Sequence, residues 1–180
     1  MKKIKLKDKE FGVSIPSEDI QKVIVNLAKK INTDFKDAEI PLFISILNGS
    51  FMFTADLLKH IDFNCEITFL KLSSYQGTSS TGNVKELIGI NENIKGRKII
   101  VLEDIVDTGI TLEQIVNELE KYNPEEIRVS TLLFKPAAYQ KNINIDYVGM
   151  EIPNDFIIGY GLDYDGLGRN LADIYTLIQK

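Results

Sequence analysis

"IIVLEDIVDTGITLEQIV", residues 99–116, decides the fold. An apolar run closes on two adjacent acids, Glu103 and Asp104; a third, Asp107, opens "DTGIT". Helical spacing follows, with Leu112, Ile115, Val116 and Leu119 on one inward face. A buried strand that turns through glycine straight into a helix is the repeating piece of a helix-covered parallel sheet. Ligands of such sheets bind beyond the carboxyl ends of the strands, which places this loop in a binding site. Gly109 permits a tight turn and close backbone approach. Thr108 and Thr111 add hydroxyl donors, and the first free amides of the helix point into the turn, making a phosphate cradle. Carboxylates repel phosphate, so the three acids must serve something else. They accept hydrogen bonds from hydroxyls and bind Mg2+ through oxygen. Glu103 and Asp104, read here as ending the strand, suit a vicinal diol or a metal, with Asp107 near the reactive carbon. A ligand with phosphate at one end and two hydroxyls nearby is a ribose 5-phosphate.

Other segments extend the same pattern. "SEDIQKVIVNLAKKI" puts Ile20, Val23, Ile24, Leu27 and Ile31 on a helical stripe, with Ser17 as N-cap and Glu18 and Asp19 in the first turn. "PLFISIL", "CEITFLKLSSY", "RKIIVLEDIV", "EIRVSTLLFK" and "IDYVGMEI" read as strands, and "GSFMFTADLLKH" as a helix directly after the first of them. Their continuous apolar character predicts a mostly parallel, twisted sheet with helices on both faces, in one domain spanning 1–180.

Composition narrows the function classes. The 180 residues are 44% hydrophobic, and 21 Lys and Arg against 26 Asp and Glu give a formal charge of -5. The basic residues are dispersed, which argues against a nucleic-acid partner. No run approaches the ~20 apolar residues of a membrane span, and "MKKIKLKDKEFG" lacks the apolar stretch of a signal peptide. The one cysteine, Cys65, excludes an internal disulfide, fits a reducing cytoplasmic setting and reads as a small core residue. The one histidine, His60, has no partner motif.

Competing motifs fail on context. "GxxxxGK[ST]" is absent, so no Walker lysine reaches a nucleotide triphosphate. "GYGLDYDG" begins like a dinucleotide fingerprint but follows no strand-to-helix pattern. "DTG" in an aspartic protease would sit in an all-β chain. "DYDG" hints at a calcium loop, whose twelfth position would be Ile174 and not a glutamate.

"VLEDIVDTGITL" resembles the phosphoribosyl pyrophosphate motif of the type I phosphoribosyltransferases, in the form found in those that act on hypoxanthine and guanine. Four more segments agree in order: "ILNGSFMFTADL", "SSYQGTSSTGNVK", "LLFKP" and "VGMEIPNDFIIGYGLDYDGLGRNL", spanning about Pro41 to Leu171. The resemblance implies the α/β fold of that family, a small hood from C-terminal and N-terminal segments, and a homodimer or homotetramer. It implies Mg2+-dependent transfer from phosphoribosyl pyrophosphate to a 6-oxopurine base. Asp107 would be the general base at purine N7 and would belong, with Thr108, Gly109, Ile110 and Thr111, to the 5-phosphate loop. Glu103 and Asp104 would hold the ribose hydroxyls and, with Asp163, a metal. Asn48, Gly49 and Arg169 would meet pyrophosphate. Lys135 would donate to the 6-oxo group, Phe156 would stack on the base, and Ile157 and Asp163 would lie at its edge. Ser74 and Tyr75 would belong to a mobile closing loop. Without the resemblance, Lys135 reads as a solubilising charge and Phe156 as core. Asn48 stands where relatives commonly carry lysine, which removes a cation near pyrophosphate, at a peptide bond that the family can hold in cis. The alternatives are a phosphoribosyltransferase for xanthine or a pyrimidine, a nucleic-acid-binding regulatory relative, and an inactive scaffold.

Overall fold

The computed structural model describes residues 2–73, 85–88 and 92–178; Ser74 and Tyr75 lie outside these. In chain order the elements are β1 (Lys3–Leu6), β2 (Lys9–Ile15), α1 (Ser17–Phe35), β3 (Leu42–Leu47), α2 (Phe51–Leu58), β4 (Glu66–Ser73) and β5 (Lys85–Ile88). They continue with β6 (Lys98–Val106), α3 (Ile110–Glu120), β7 (Glu126–Phe134), β8 (Tyr147–Glu151), β9 (Ile157–Ile158) and β10 (Ile174–Leu177).

Six strands form the central sheet in the order β5-β4-β3-β6-β7-β8. All neighbours are parallel except β5, which runs antiparallel on the edge of β4. The mostly parallel sheet is therefore as expected, and the physical reason shows in β3. Its residues alternate with period two: Phe43 joins the core under α1 and α2, while Leu42, Ile44 and Ile46 join the core under α3. Both faces are covered, so both sets must be apolar. Helix α3 buries the four residues expected, Leu112, Ile115, Val116 and Leu119, each burial contributing roughly 1.5–3 kcal/mol.

Ser45 lies on the α1–α2 side of β3. Its hydroxyl meets Ser50 Oγ at 2.7 Å and Thr54 Oγ1 at 2.8 Å, and Ser50 Oγ donates to the Ile46 carbonyl at 2.5 Å. These buried hydroxyls satisfy one another and fasten the first turns of α2 to β3. Cys65 is half-buried and packs against the same core, and burial pushes its thiol pKa up.

Two local expectations are corrected. Ser17 is the first residue of α1 and not its cap; Pro16 holds the cap position, and the Ser17 amide donates to Asp173 Oδ1 at 2.9 Å. A carboxylate 156 positions away thus does what a local side chain was expected to do. Glu103 and Asp104 do not end their strand either, since β6 runs on through Ile105 and Val106, paired with Leu133 and Phe134 of β7.

The hood is a second, antiparallel sheet ordered β1-β2-β10-β9, joining both ends of the chain around Phe11, Ile158 and Tyr175. Between β9 and β10 come two successive two-residue hairpin turns. Tyr160 and Gly161 turn between Gly159 and Leu162; Asp165 and Gly166 turn between Tyr164 and Leu167. All four central residues have positive φ, the requirement of a type I′ turn. The glycine spacing that imitated a dinucleotide fingerprint is the spacing of these turns.

Candidate active site

Strand β6 delivers its acids to the carboxyl edge of the sheet, and the chain then turns through Asp107, Thr108 and Gly109 into α3. Gly109 sits at φ +82, and a Cβ there would lie 2.4 Å from the Tyr139 ring, so conformation and neighbour both demand glycine. Tyr139 is fixed by its hydroxyl, which donates to the Ile143 carbonyl at 2.6 Å, and by an edge-on contact with Phe134. The Gln140 amide binds the Thr108 carbonyl at 3.1 Å from behind. The first intrahelical bond of α3 runs from the Glu113 amide to the Gly109 carbonyl. Of the amides that precede it, that of Ile110 reaches Thr108 Oγ1 at 3.5 Å, and those of Thr111 and Leu112 need partners from outside the helix. Those orphan amides and the helix dipole make this end of the site attractive to an anion.

A cleft of ≈ 390 Å³ opens here. Glu103, Asp104, Asp107, Thr108, Gly109 and Thr111 line it, and Gly49 of the β3–α2 connection closes the far wall. Ile110 heads α3 exposed, contributing its backbone position. The same cleft is lined by Glu103, which is buried, and Asp104, which is half-buried. Burial, and secondarily repulsion from Asp104, raises the Glu103 carboxyl well above its ordinary range. The Asp104 carboxyl is pushed up to about 6, chiefly by burial, although the Ile105 amide and the Arg169 charge act against the rise. Among the described residues neither acid has a lysine or arginine within ion-pair distance. Such groups gain from any ligand that brings hydroxyl donors or a cation. The loop that suits an anion and the acids that suit hydroxyls or a cation thus line one cleft.

Lys135, only 7% exposed, places Nζ 3.0 Å from Asp107 Oδ2. Its burial removes the reading as a solubilising charge. On the far wall the Leu47–Asn48 peptide is cis, Asn48 is exposed, and Gly49 lies so close to Asp104 that a Cβ would fall 1.4 Å from Oδ2. Arg169 binds Asp163 Oδ1 at 2.5 Å through Nη2 and the Gly161 carbonyl at 2.7 Å through Nη1. Both charges are felt at Asp104. Phe156 is 46% exposed beside Phe11 and Tyr164, with the Lys9 ammonium 5.4 Å above its ring. Ile157 pairs with Thr176 and lines a separate hollow of ≈ 180 Å³. These two belong to the hood and, like Asn48, Lys135, Asp163 and Arg169, are not among the residues lining the cleft itself. Among the described residues no group of three Asp, Glu, His or Cys side chains is assembled for a metal. Sequence reasoning missed Tyr139, which carries no motif, and Gly161, whose carbonyl holds Arg169.

A nucleotide-type cleft at the carboxyl edge of this sheet defines a phosphoribosyl transferase domain, and the family model of that description matches residues 16–165. The chain belongs to that family and, within it, to the hypoxanthine-guanine phosphoribosyltransferases. It is 40% identical to the Bacillus subtilis hypoxanthine-guanine phosphoribosyltransferase, over 92% of each chain. It is 42% identical to the Tritrichomonas foetus hypoxanthine-guanine-xanthine phosphoribosyltransferase, over 89% of this chain and 87% of the relative. A solved structure of Trypanosoma cruzi hypoxanthine phosphoribosyl transferase matches with a TM-score of 0.86 at 34% identity, covering 97% of this chain and 95% of that one.

Proposed function

We propose that the chain transfers the 5-phosphoribosyl group of phosphoribosyl pyrophosphate to hypoxanthine or guanine, giving IMP or GMP and pyrophosphate in purine salvage. One observation carries this: the start of α3, the acids Glu103 and Asp104, and Asp107, which the buried Lys135 holds at 3.0 Å, line a single cleft. The Thr108–Thr111 loop, with Asp107 leading into it, holds the 5-phosphate. Glu103 and Asp104 accept the ribose hydroxyls and place negative charge beside a sugar carbon that becomes cationic as its bond to pyrophosphate lengthens. Asn48, Gly49 and Arg169 face the leaving pyrophosphate.

The Lys135–Asp107 pair supports the choice of base. A 6-oxopurine offers an acceptor at O6 to the ammonium and a neighbouring N7 proton to the carboxylate, so it can enter the pair and satisfy both. Adenine would present its amino donors to a buried ammonium that has no use for them, which costs the desolvation of that charge. Phe156, already exposed, is available to stack on the base, with the Ile157 backbone and Asp163 at its edge.

Mg2+ fits the donor set. The acids here are oxygen ligands, and magnesium is ordinarily held by one or two carboxylates together with substrate phosphates, not by a preformed protein cage. One or two of Glu103, Asp104 and Asp163 would hold it together with the substrate's phosphates, and when bound it would neutralise charge on the leaving group.

We further propose one domain over 1–180 acting in the cytoplasm, in line with the lone Cys65 and with the lack, among the described residues, of a helix long and apolar enough to cross a membrane. A homodimer or homotetramer is supported by exposed Ile67 and Phe69 on β4, the strand beside β3, and exposed Phe51 at the start of α2. Phe69→Glu is expected to shift the protein towards monomer in sedimentation; unchanged mass would rule this surface out.

The direct test is a spectroscopic assay with phosphoribosyl pyrophosphate, Mg2+ and hypoxanthine, guanine or xanthine. Consumption of xanthine alone, or of none of the three, would overturn the assignment. In Asp107→Asn the amide oxygen still accepts from Lys135, so the fold should persist. Turnover is expected to fall about a hundredfold or more with phosphoribosyl pyrophosphate binding kept. Full activity in that variant would remove Asp107 as the proton acceptor.

A further inference from the structure

We propose that Tyr160 and Asp56 form a latch that holds the hood turn against the Asn48–Gly49 loop and so positions the pyrophosphate end of the cleft. Resting on the reading of that cleft given above, it makes both of them positioning residues. Tyr160 occupies a hairpin position that ordinarily takes asparagine, aspartate or glycine. Its φ is +48, between Gly159 at +97 and Gly161 at +99. A tyrosine stays in that conformation only where its surroundings hold it. Here the ring is 3% exposed, and the hydroxyl donates to Asp56 Oδ2 at 2.5 Å. Gln21 of α1 donates to the same oxygen at 2.7 Å and lies 3.3 Å from the tyrosine hydroxyl, and Lys59 binds Asp56 Oδ1 at 2.7 Å.

Asp56 stands on α2, the helix that begins directly after the Asn48–Gly49–Ser50 turn. Ser50 and Thr54 fasten the same helix to Ser45 of β3, so α2 is a rigid strut between sheet and hood. The residue after Tyr160 meets that turn: a Cβ on Gly161 would lie 1.9 Å from the Gly49 carbonyl oxygen. The Gly161 carbonyl also holds Arg169, which holds Asp163. Releasing the Tyr160 hydroxyl therefore frees Gly161, Arg169 and Asp163 to drift from Gly49 and Asp104 together, while leaving Lys135 and Asp107 untouched.

The wild-type chain, Tyr160→Phe, Asp56→Ala and Asp56→Asn are compared in steady-state kinetics and in calorimetric titration with pyrophosphate and Mg2+. Tyr160→Phe and Asp56→Ala are expected to raise the KM for phosphoribosyl pyrophosphate and the Kd of pyrophosphate about tenfold, leaving the KM for hypoxanthine within about twofold. Asp56→Asn keeps an oxygen that accepts from the tyrosine and should stay within about threefold of wild type. The double variant Tyr160→Phe with Asp56→Ala should be no worse than Asp56→Ala alone. A lower melting temperature with pyrophosphate affinity unchanged would overturn the latch, as would equal changes in both KM values. The calorimetric arm reads it without turnover, so a wild type that ignores hypoxanthine would sink the assigned base and leave the latch to be judged on its own result.

Discussion

Asp104→Asn is expected to make the ligand-free protein more stable at pH 7.5, by roughly 3 kcal/mol, and to remove nearly all of its activity. Asp104 has a carboxyl pushed up to about 6 in the folded chain, against an ordinary value of 3.8. Folding therefore favours its protonated form. The group is harmless to stability below about pH 4, and its cost grows as pH rises through 6, reaching its full extent near neutrality. The separation of the two values sets the ~3 kcal/mol. Asparagine carries no charge to desolvate, and its side-chain oxygen can still take the Ile105 amide, which Asp104 binds at 2.8 Å. Turnover should drop at least about a hundredfold, because the proposed ligand of the ribose and magnesium is gone. Denaturant titrations at pH 4.5 and 7.5 decide the matter: wild type should lose stability between them and the variant should lose much less. A variant less stable than wild type at pH 7.5 would refute the argument. Wild type should also recover the loss on binding phosphoribosyl pyrophosphate with Mg2+, since a ligand selective for the folded state adds its own binding free energy.

Gly161→Ala is expected to be the most damaging single methyl in the hood. Its φ of +99 already strains any L side chain, and the added Cβ would lie 1.9 Å from the Gly49 carbonyl oxygen and 3.1 Å from its carbon. Both obstacles are backbone, so no side chain can swing aside. Strain of about 1–3 kcal/mol combines with an overlap that only displacement of the turn can relieve. That displacement carries Arg169, held by the Gly161 carbonyl, away from the Asn48–Gly49 turn proposed to meet pyrophosphate. Gly166→Ala is the internal control: its φ is +81, but nothing lies within 4 Å of its Cβ. It should lose only the conformational part, about 1–2 kcal/mol, with affinity for phosphoribosyl pyrophosphate kept. Equal losses in the two variants, by urea denaturation and KM, would show that contact with Gly49 is not what matters.

The sequence by itself determined the central sheet and the loop. Strands such as "LFISIL" are apolar on both faces, and Leu112, Ile115, Val116 and Leu119 repeat at helical spacing, because burial by near neighbours imprints a local period. The DTGIT loop and its acids were legible for the same reason, since strand, turn and helix are consecutive. Only the tertiary structure decided the rest. "KIKL" and "KEFGVSI" are too short and charged to announce strands by their pattern, although the family resemblance implied a hood; the second is fixed by pairing with β10 at the other end of the chain, and the first by pairing with the second. The Asp173 cap on α1, the burial of Lys135, the approach of Gly161 to Gly49 and the bond from Tyr160 to Asp56 join residues from 28 to 156 positions apart. No local period records a contact whose two halves meet only after the chain has closed on itself.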